Sequence, residues 1–507
     1  MDILVALDAG TSSVRAIAFT TTGDVLAQAS RELALDFVGP RMVEQNPTTI
    51  AGLCLQVLGE LERELGNQAR DVAAIGITNQ RETVVAWDRK NGDILYPAIS
   101  WQDSRGDVFC NSLLDSPTAD MITMRTGLIV NPYFSASKIA WLYDNSAFAQ
   151  ASFGAVGTLD SYLIWVLTGS SLNSAFVSDI SNACRTMLVD LDSLDFDQEL
   201  LSIFGVNRDH LPQIISCAKI DYRVAPGLPF AQTMIGAAIG DQQASLFGQR
   251  CFSPLEVKTT YGSGNFILAN SGTTRHRPNG KVIESVAWKI GDQSPTYCLE
   301  GSVFSSGTIF RWLKDNMGIL LDFLSIDEMA QSVRSSEGVV LIPSLQGLGA
   351  PYWSSQTPGA IFGISGSTLP AHIVRAAVEA VVLRTEEVVV AIQDALDAKF
   401  THMAVDGGLS KSDFVCQLQA DQLQIPLIRS RNHESTALGA ALLAGISADV
   451  FATTGDIPHP GTETTTFVNK ASTYGAKARR ELWMRYMPRM FEVSTNDRSK
   501  RAVEMKA

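Results

Sequence analysis

Three short stretches of this 507-residue chain set a carboxylate next to glycine or an amide where a strand should end. In Asp8-Ala9-Gly10-Thr11-Ser12-Ser13, Gly10 allows close backbone approach, and the amides and hydroxyls of Thr11, Ser12 and Ser13 are donors that suit a phosphate. Asp8 would then face a metal ion through water. A plain Asp-Gly turn would read the same way. Gly240-Asp241-Gln242-Gln243 follows the apolar Ile235 to Ile239 and precedes a helix-like Ala244 to Gly248. An aspartate at such a junction can take a proton from a substrate hydroxyl while its amide neighbour donates hydrogen bonds, and it can equally be a helix N-cap. In Val405-Asp406-Gly407-Gly408 the paired glycines let the backbone lie against a flat ring or a phosphate, or simply turn. Each signal has a plain explanation, but three in this order are hard to assemble by accident.

The elements that must carry these residues follow from periodicity. Apolar runs at Ile3 to Leu7, Val14 to Phe19 and Val25 to Ala29, separated by turn residues, predict consecutive hairpins. Residues 47–66 have helical spacing with Leu53, Val57, Leu61 and Leu65 on one stripe. A second strand pair is expected at Val72 to Thr78 and Thr83 to Trp87, with Lys90-Asn91-Gly92 as its turn. Strand signals restart at Val257 to Thr260 and Phe266 to Ala269, which marks a domain boundary after Gly248. Pro370 opens a long helix reaching Ala398, and a short strand at Met403 to Val405 runs through the paired glycines into a helix ending near Leu423. The polar residues from about Thr495 lack periodicity and are expected to fray.

Composition narrows the function classes. A chain of this length with 46% hydrophobic and 18% charged residues can bury two large cores. Its 40 basic and 53 acidic residues leave a net charge of −13 with no long basic run, so nucleic acid and anionic membranes are poor partners and a small molecule is the natural one. The apolar N-terminal run breaks at Asp8, too early for a signal or spanning segment, which predicts no membrane insertion and a cytoplasmic protein. Seven scattered cysteines without a C-x-x-C pair and six histidines without H-E-x-x-H spacing fit neither a disulfide framework nor a zinc site.

Two longer stretches identify a resemblance. Tyr133-Phe-Ser-Ala-Ser-Lys138-Ile-Ala-Trp141-Leu-Tyr-Asp144-Asn145, and Gly359-Ala-Ile-Phe-Gly363-Ile through His372 to Glu379, resemble the two signatures of the FGGY carbohydrate-kinase family, and the likeness runs from residue 4 to about 450. The resemblance implies an α/β protein of two actin-like ATPase (ribonuclease H-like) domains, 1–245 and 246–507, with an active-site cleft between them. It implies Mg²⁺ and ATP, the latter as co-substrate, and suggests a homodimer.

On the acceptor side the chain resembles the family's glycerol kinases. Ile77-Thr78-Asn79-Gln80-Arg81-Glu82-Thr83 stands where its ketose kinases usually carry a Met-His-Gly-like stretch. The likeness implies phosphorylation of glycerol, with other small polyols or ketoses such as erythritol, dihydroxyacetone or xylulose as the alternative. A nucleotide-switched actin-like binding protein is a further one. Arg81 offers a donor fork and Glu82 an acceptor for vicinal hydroxyls, with Tyr133, Asp241 and Gln242 completing the hydrogen bonds and Trp101 and Phe266 covering the carbon chain. The resemblance assigns Asp241 as catalytic base and sets Asp8 and Asp241 about Mg²⁺, mostly through water. It places Thr11, Ser12, Ser13 and Arg15 at the phosphates, with Ser263, Gly307, Arg311, Gly407 and Ser412 along the nucleotide path. Ala9, Arg311 and Ser412 depart from the residues usual there, a glutamine, a glutamine and an asparagine.

Overall fold

The computed structural model describes residues 2–39, 41–114, 116–354, 357–430, 434–458, 464–470 and 473–504. Ile3–Ala9 is buried along its whole length, because its apolar side chains meet packed elements on both faces of a sheet. It pairs antiparallel with Ser13–Thr20, which pairs with Val25–Glu32, as the hairpin pattern predicts. On its other side it pairs parallel with Val72–Asn79, and that strand pairs parallel with Met234–Gly240. Ala218–Arg223 closes the six-stranded sheet.

The same order recurs in a seven-stranded sheet. Val257–Tyr261 pairs antiparallel with Asn265–Gly272 and parallel with Met403–Asp406, which is followed by the parallel Leu427–Ser430. Thr296–Val303, Ile283–Trp288 and Thr464–Phe467 complete it. Two sheets, with three antiparallel strands in the first and four in the second continuing into parallel ones, form the duplicated ribonuclease H-like, α/β architecture that the resemblance implies.

One expected pairing is wrong. Val72–Asn79 and Val84–Asp88 do not pair: the first is interior to the six-stranded sheet, the second belongs to a separate antiparallel sheet of five strands. The chain leaves the first sheet at Arg81-Glu82, where Glu82 takes φ 61°, so this couple occupies a bend and not a strand face. The turn at Lys90-Asn91-Gly92 instead joins Val84–Asp88 to Ile94–Ile99.

The helices obey their local signals. Pro47–Leu65 starts with Asn46 accepting from the Thr49 amide at 3.1 Å and ends at Gly66. Its buried stripe is Ile50, Cys54, Val57, Leu58, Leu61 and Leu65, rotated slightly from the predicted one because Leu53 is only half-buried. Pro370–Leu396 is the long helix expected, buried through Val374, Val378, Val381 and Val388. The last helix, Thr473–Glu504, continues through the segment expected to fray. Ser435–Ser447, although late in the chain, lies on the first sheet and on Asp241–Gly248. Glycine makes that possible: a Cβ at Gly439 would fall 1.9 Å from the Ala244 carbonyl oxygen, and one at Gly248 1.9 Å from that of Ser435.

Candidate active site

The three central parallel strands of the first sheet end side by side, since Asn79 is in register with both Ala9 and Gly240. The Gly10–Ser13 loop, the Arg81-Glu82 bend and Asp241 therefore emerge together at carboxyl ends of neighbouring strands, where open α/β sheets leave a crevice. Gly262 to Gly264, between Tyr261 and Asn265, approaches from the second sheet. The four segments line one cleft of about 540 Å³, with Asp8, Arg15, Trp101, Tyr133, Gln242, Phe266 and Arg311 also on its wall.

The phosphate-loop candidate is held from below. The Gly10 amide donates to the Ser13 carbonyl at 3.0 Å, Gln80 Nε2 donates to the Gly10 carbonyl at 3.2 Å, and Gln45 Nε2 to that of Thr11 at 2.9 Å. The loop is thereby fixed before any ligand arrives. Arg15 differs from expectation: its guanidinium is already engaged by Asp8 at 2.5 Å and by Glu434, so a phosphate would share it with two carboxylates.

Elsewhere on the cleft wall Arg81 is almost completely buried, and its two terminal nitrogens grip Glu300 at 2.7 and 2.9 Å. Its Nε lies 3.3 Å from Asp241 Oδ1. Gly240 is required for this path, because a Cβ there would sit 2.8 Å from the Arg81 side chain. Gly240, not Asp241, occupies the cap position of Asp241–Gly248, which leaves the carboxylate, about a quarter exposed, facing the cleft. Burial pushes the Asp241 carboxyl up to about 6, against the pull of Arg81. A carboxyl in that range is mostly ionised at neutral pH and still able to hold a proton.

Aromatic rings wall the same part of the cleft. Trp101 meets Tyr133 and Phe266 edge-on, at centroid distances of 5.8 and 6.2 Å, and its indole N–H donates to Thr11 Oγ1 at 2.9 Å. Those rings can cover a short carbon chain while Arg81, Glu82 and Asp241 meet its oxygens.

A second cavity of about 460 Å³ adjoins the first and shares Gly262, Ser263 and Arg311 with it. Gly307, Phe323, Leu324, Gly408 and Ser412 line the rest. Gly307 begins its helix pressed on the Gly262 carbonyl, where a Cβ would come within 2.6 Å. Gly408 faces this cavity, whereas Gly407, with φ 87°, passes beneath the Tyr261 carbonyl. Ser412 caps Asp413–Leu423, accepting from the Val415 amide at 2.9 Å and donating to Asp327.

Two family models match, the N-terminal domain of the FGGY family of carbohydrate kinases over residues 3–248 and its C-terminal domain over 257–448. The chain belongs to this family. A glycerol kinase of Acinetobacter baylyi is 40% identical over 455 residues, 89% of this chain and 91% of that protein. One from Koribacter versatilis is 38% identical over 491 residues, 96% and 98% of the two chains. Among solved structures, Plasmodium falciparum glycerol kinase with ADP superposes with a TM-score of 0.86 at 28% identity, covering 97% of this chain and 98% of that one. A ligand-bound xylulose kinase from Lactobacillus acidophilus gives 0.84 at 20% identity, covering 98% of each, and speaks to the fold alone.

A carbohydrate kinase needs room for two substrates that meet, and the two joined cavities supply it. Three charged residues of this FGGY site carry no signal in the motifs. Arg185 donates through Nε to Glu82 at 2.5 Å, Glu300 holds Arg81, and Lys258 Nζ donates to Gln242 Oε1 at 2.7 Å. Glu300 and Lys258 interrupt apolar strands, at Cys298-Leu299-Glu300 and Val257-Lys258-Thr259, which is the only trace they leave in the sequence. Burial lowers the Lys258 ammonium to about 8 despite Asp406 and Asp241 nearby. Among the described residues no helix is long and apolar enough to cross a membrane, and all seven cysteines are free and buried.

Proposed function

We propose that this kinase transfers the terminal phosphoryl group of ATP to glycerol, giving sn-glycerol 3-phosphate. The observation that carries the proposal is the Arg81–Asp241 contact at 3.3 Å, beside Glu82, in a cleft that opens into the second cavity through Gly262, Ser263 and Arg311. Arg81 and Glu82 bind vicinal hydroxyls, and Gln242, its amide turned by Lys258, offers N–H donors to the same molecule. Tyr133, Trp101 and Phe266 exclude water from the carbon chain. Asp241 takes the proton from the attacking hydroxyl as its oxygen bonds to phosphorus. Thr11, Ser12 and Ser13 receive the phosphates, with Arg15 shared between them and its carboxylates. Ser263, Gly307, Arg311 and Ser412 line the path of the nucleotide, with the Gly407-Gly408 turn beside it.

Mg²⁺ fits the donor set. Asp8 and Asp241 both face the cleft, and no group of three or more candidate ligands clusters among the described residues. Two carboxylates suit an ion that keeps most of its water and takes its other ligands from phosphates. When bound, Mg²⁺ would neutralise charge on the phosphate oxygens.

A lobe division at 1–245 and 246–507 belongs to this proposal, with Ser435–Ser447 returning to the first lobe. So do a cytoplasmic location and a homodimer, the latter open to sedimentation analysis. An acceptor panel read by coupled ADP release tests the function. Glycerol should give the highest kcat/KM, and a clear preference for erythritol, dihydroxyacetone or a ketose would move the proposal to that acceptor.

A further inference from the structure

Behind the acceptor wall lie two ionised side chains that line neither cavity. Glu300 comes from Thr296–Val303 in the second sheet, and Arg185 from the short helical turn Cys184–Thr186 of the first half of the chain. Both side chains are fully buried. Charges in such a place are costly unless each is paired, and removal of one partner leaves the other uncompensated. The pairing here is complete. The Glu300 carboxylate accepts two bonds from Arg81, at 2.7 and 2.9 Å, and two longer ones from Arg185, at 3.2 and 3.3 Å. Arg185 in turn donates to Glu82 at 2.5 Å, and its guanidinium stands over the Tyr133 ring, 5.7 Å from the centroid. Three acceptor-facing residues, Arg81, Glu82 and Tyr133, thus rest on two that no acceptor touches.

We propose that Glu300 and Arg185 are positioning residues for the acceptor, fixing the Arg81 and Glu82 side chains from behind and making their arrangement depend on contact between the two sheets. The inference rests on the reading of Arg81 and Glu82 as acceptor ligands. Arg81 has a long side chain with several soft torsions; Asp241 and Gln243 each meet one of its nitrogens, and the bidentate Glu300 fixes the plane of the guanidinium. Glu82 leaves the sheet on a left-handed bend, and its carboxylate takes its orientation from the Arg185 N–H that it accepts at 2.5 Å. Glu300 and Arg185 supply these two constraints. Because Glu300 arrives from the opposite lobe, separation of the sheets at the cleft floor would release Arg81 and leave Arg185, still paired with Glu82, without its second carboxylate.

Steady-state kinetics of Glu300→Gln and Arg185→Lys against the intact enzyme test this. Each variant should raise the KM for glycerol by roughly tenfold or more, while the KM for ATP stays within about threefold, since no nucleotide-path residue touches the pair. If Glu300→Gln does not fold, judged by nucleotide binding and thermal melting, Arg185→Lys keeps the charge and decides alone. An unchanged glycerol KM in the folded variants, or glycerol and ATP KM rising together, overturns the proposal. Loss of nucleotide binding in both variants would assign the pair to the fold and overturn it too. Should the intact enzyme fail to phosphorylate glycerol, the acceptor reading falls instead, and the same comparison is run on the best acceptor of the panel.

Discussion

Replacing Asp241 with asparagine removes a base while leaving shape nearly constant, so its effect can be worked out in parts. The side chain accepts from the Gln242 amide at 2.7 Å, a bond the asparagine carbonyl can keep. Arg81 loses one of its two ion-pair partners but stays bidentate to Glu300, so the acceptor pocket keeps its donor fork. The nucleotide cavity has no contact with the change. What disappears is proton acceptance, worth about 10²–10⁴ in turnover, or about 2.7–5.4 kcal/mol of barrier at 1.36 kcal/mol per decade, and one of the two carboxylates offered to Mg²⁺, whose loss adds to the effect. The pH dependence gives an independent signature. With the carboxyl at about 6, the intact enzyme should lose kcat/KM below that pH, by about tenfold per pH unit, and Asp241→Asn should show no such limb. The assay is coupled ADP release from about pH 5 to about pH 9, with calorimetric titration of ADP as the control. Turnover within tenfold of the intact enzyme, or survival of the same acid limb in the variant, would refute the assignment of Asp241 as base.

Arg81→Ala and Glu82→Ala should each weaken glycerol by about 1–3 kcal/mol, roughly 5- to 150-fold in KM, because a buried partner is left unsatisfied. Kinetics at saturating ATP would show it, and unchanged KM in both would point to another acceptor site. Gly439→Ala should destabilise the protein by about 1–3 kcal/mol or more, since the new methyl would meet the Ala244 carbonyl at 1.9 Å and backbone cannot yield as a side chain does. A melting temperature equal to that of the parent would contradict that packing. Stability should also fall on acidification. Burial alone would raise the Glu300 carboxyl, but Arg185 and Arg81 hold it to about 2, below its unfolded value. Its contribution is therefore full above about pH 4.5 and lost as pH falls toward about 2, and denaturant midpoints across that window should decline, less steeply in Glu300→Gln.

The chemistry-bearing ends of strands were readable because the signal is local. Asp8 with Gly10, Gly240 with Asp241, and Asp406 with Gly407 each join an apolar run to a residue that lets backbone approach a ligand, and all three lie at strand ends in space. Strand partners were less readable. Val72–Asn79 looked like one arm of a hairpin with the strand after it, yet its neighbours are Ile3–Ala9 and Met234–Gly240. Parallel pairing is set by long crossovers, and nothing in the sequence near Val72 encodes it. The brace behind the acceptor wall was invisible for the same reason. Glu300 stands out as a charge in an apolar strand, but its partners Arg81 and Arg185 are 219 and 115 positions away. The pairing of Arg15 with Glu434, 419 residues distant, left no mark in the sequence because it depends on the return of the late helix to the first sheet.

Phosphorus NMR of the enzyme turning over ATP with glycerol tests the central claim most directly, because it identifies the bond that is made. The account predicts ADP and a primary glycerol phosphomonoester in equal amounts, and slow nucleotide loss when glycerol is left out. Rapid release of inorganic phosphate with no glycerol ester formed would contradict it.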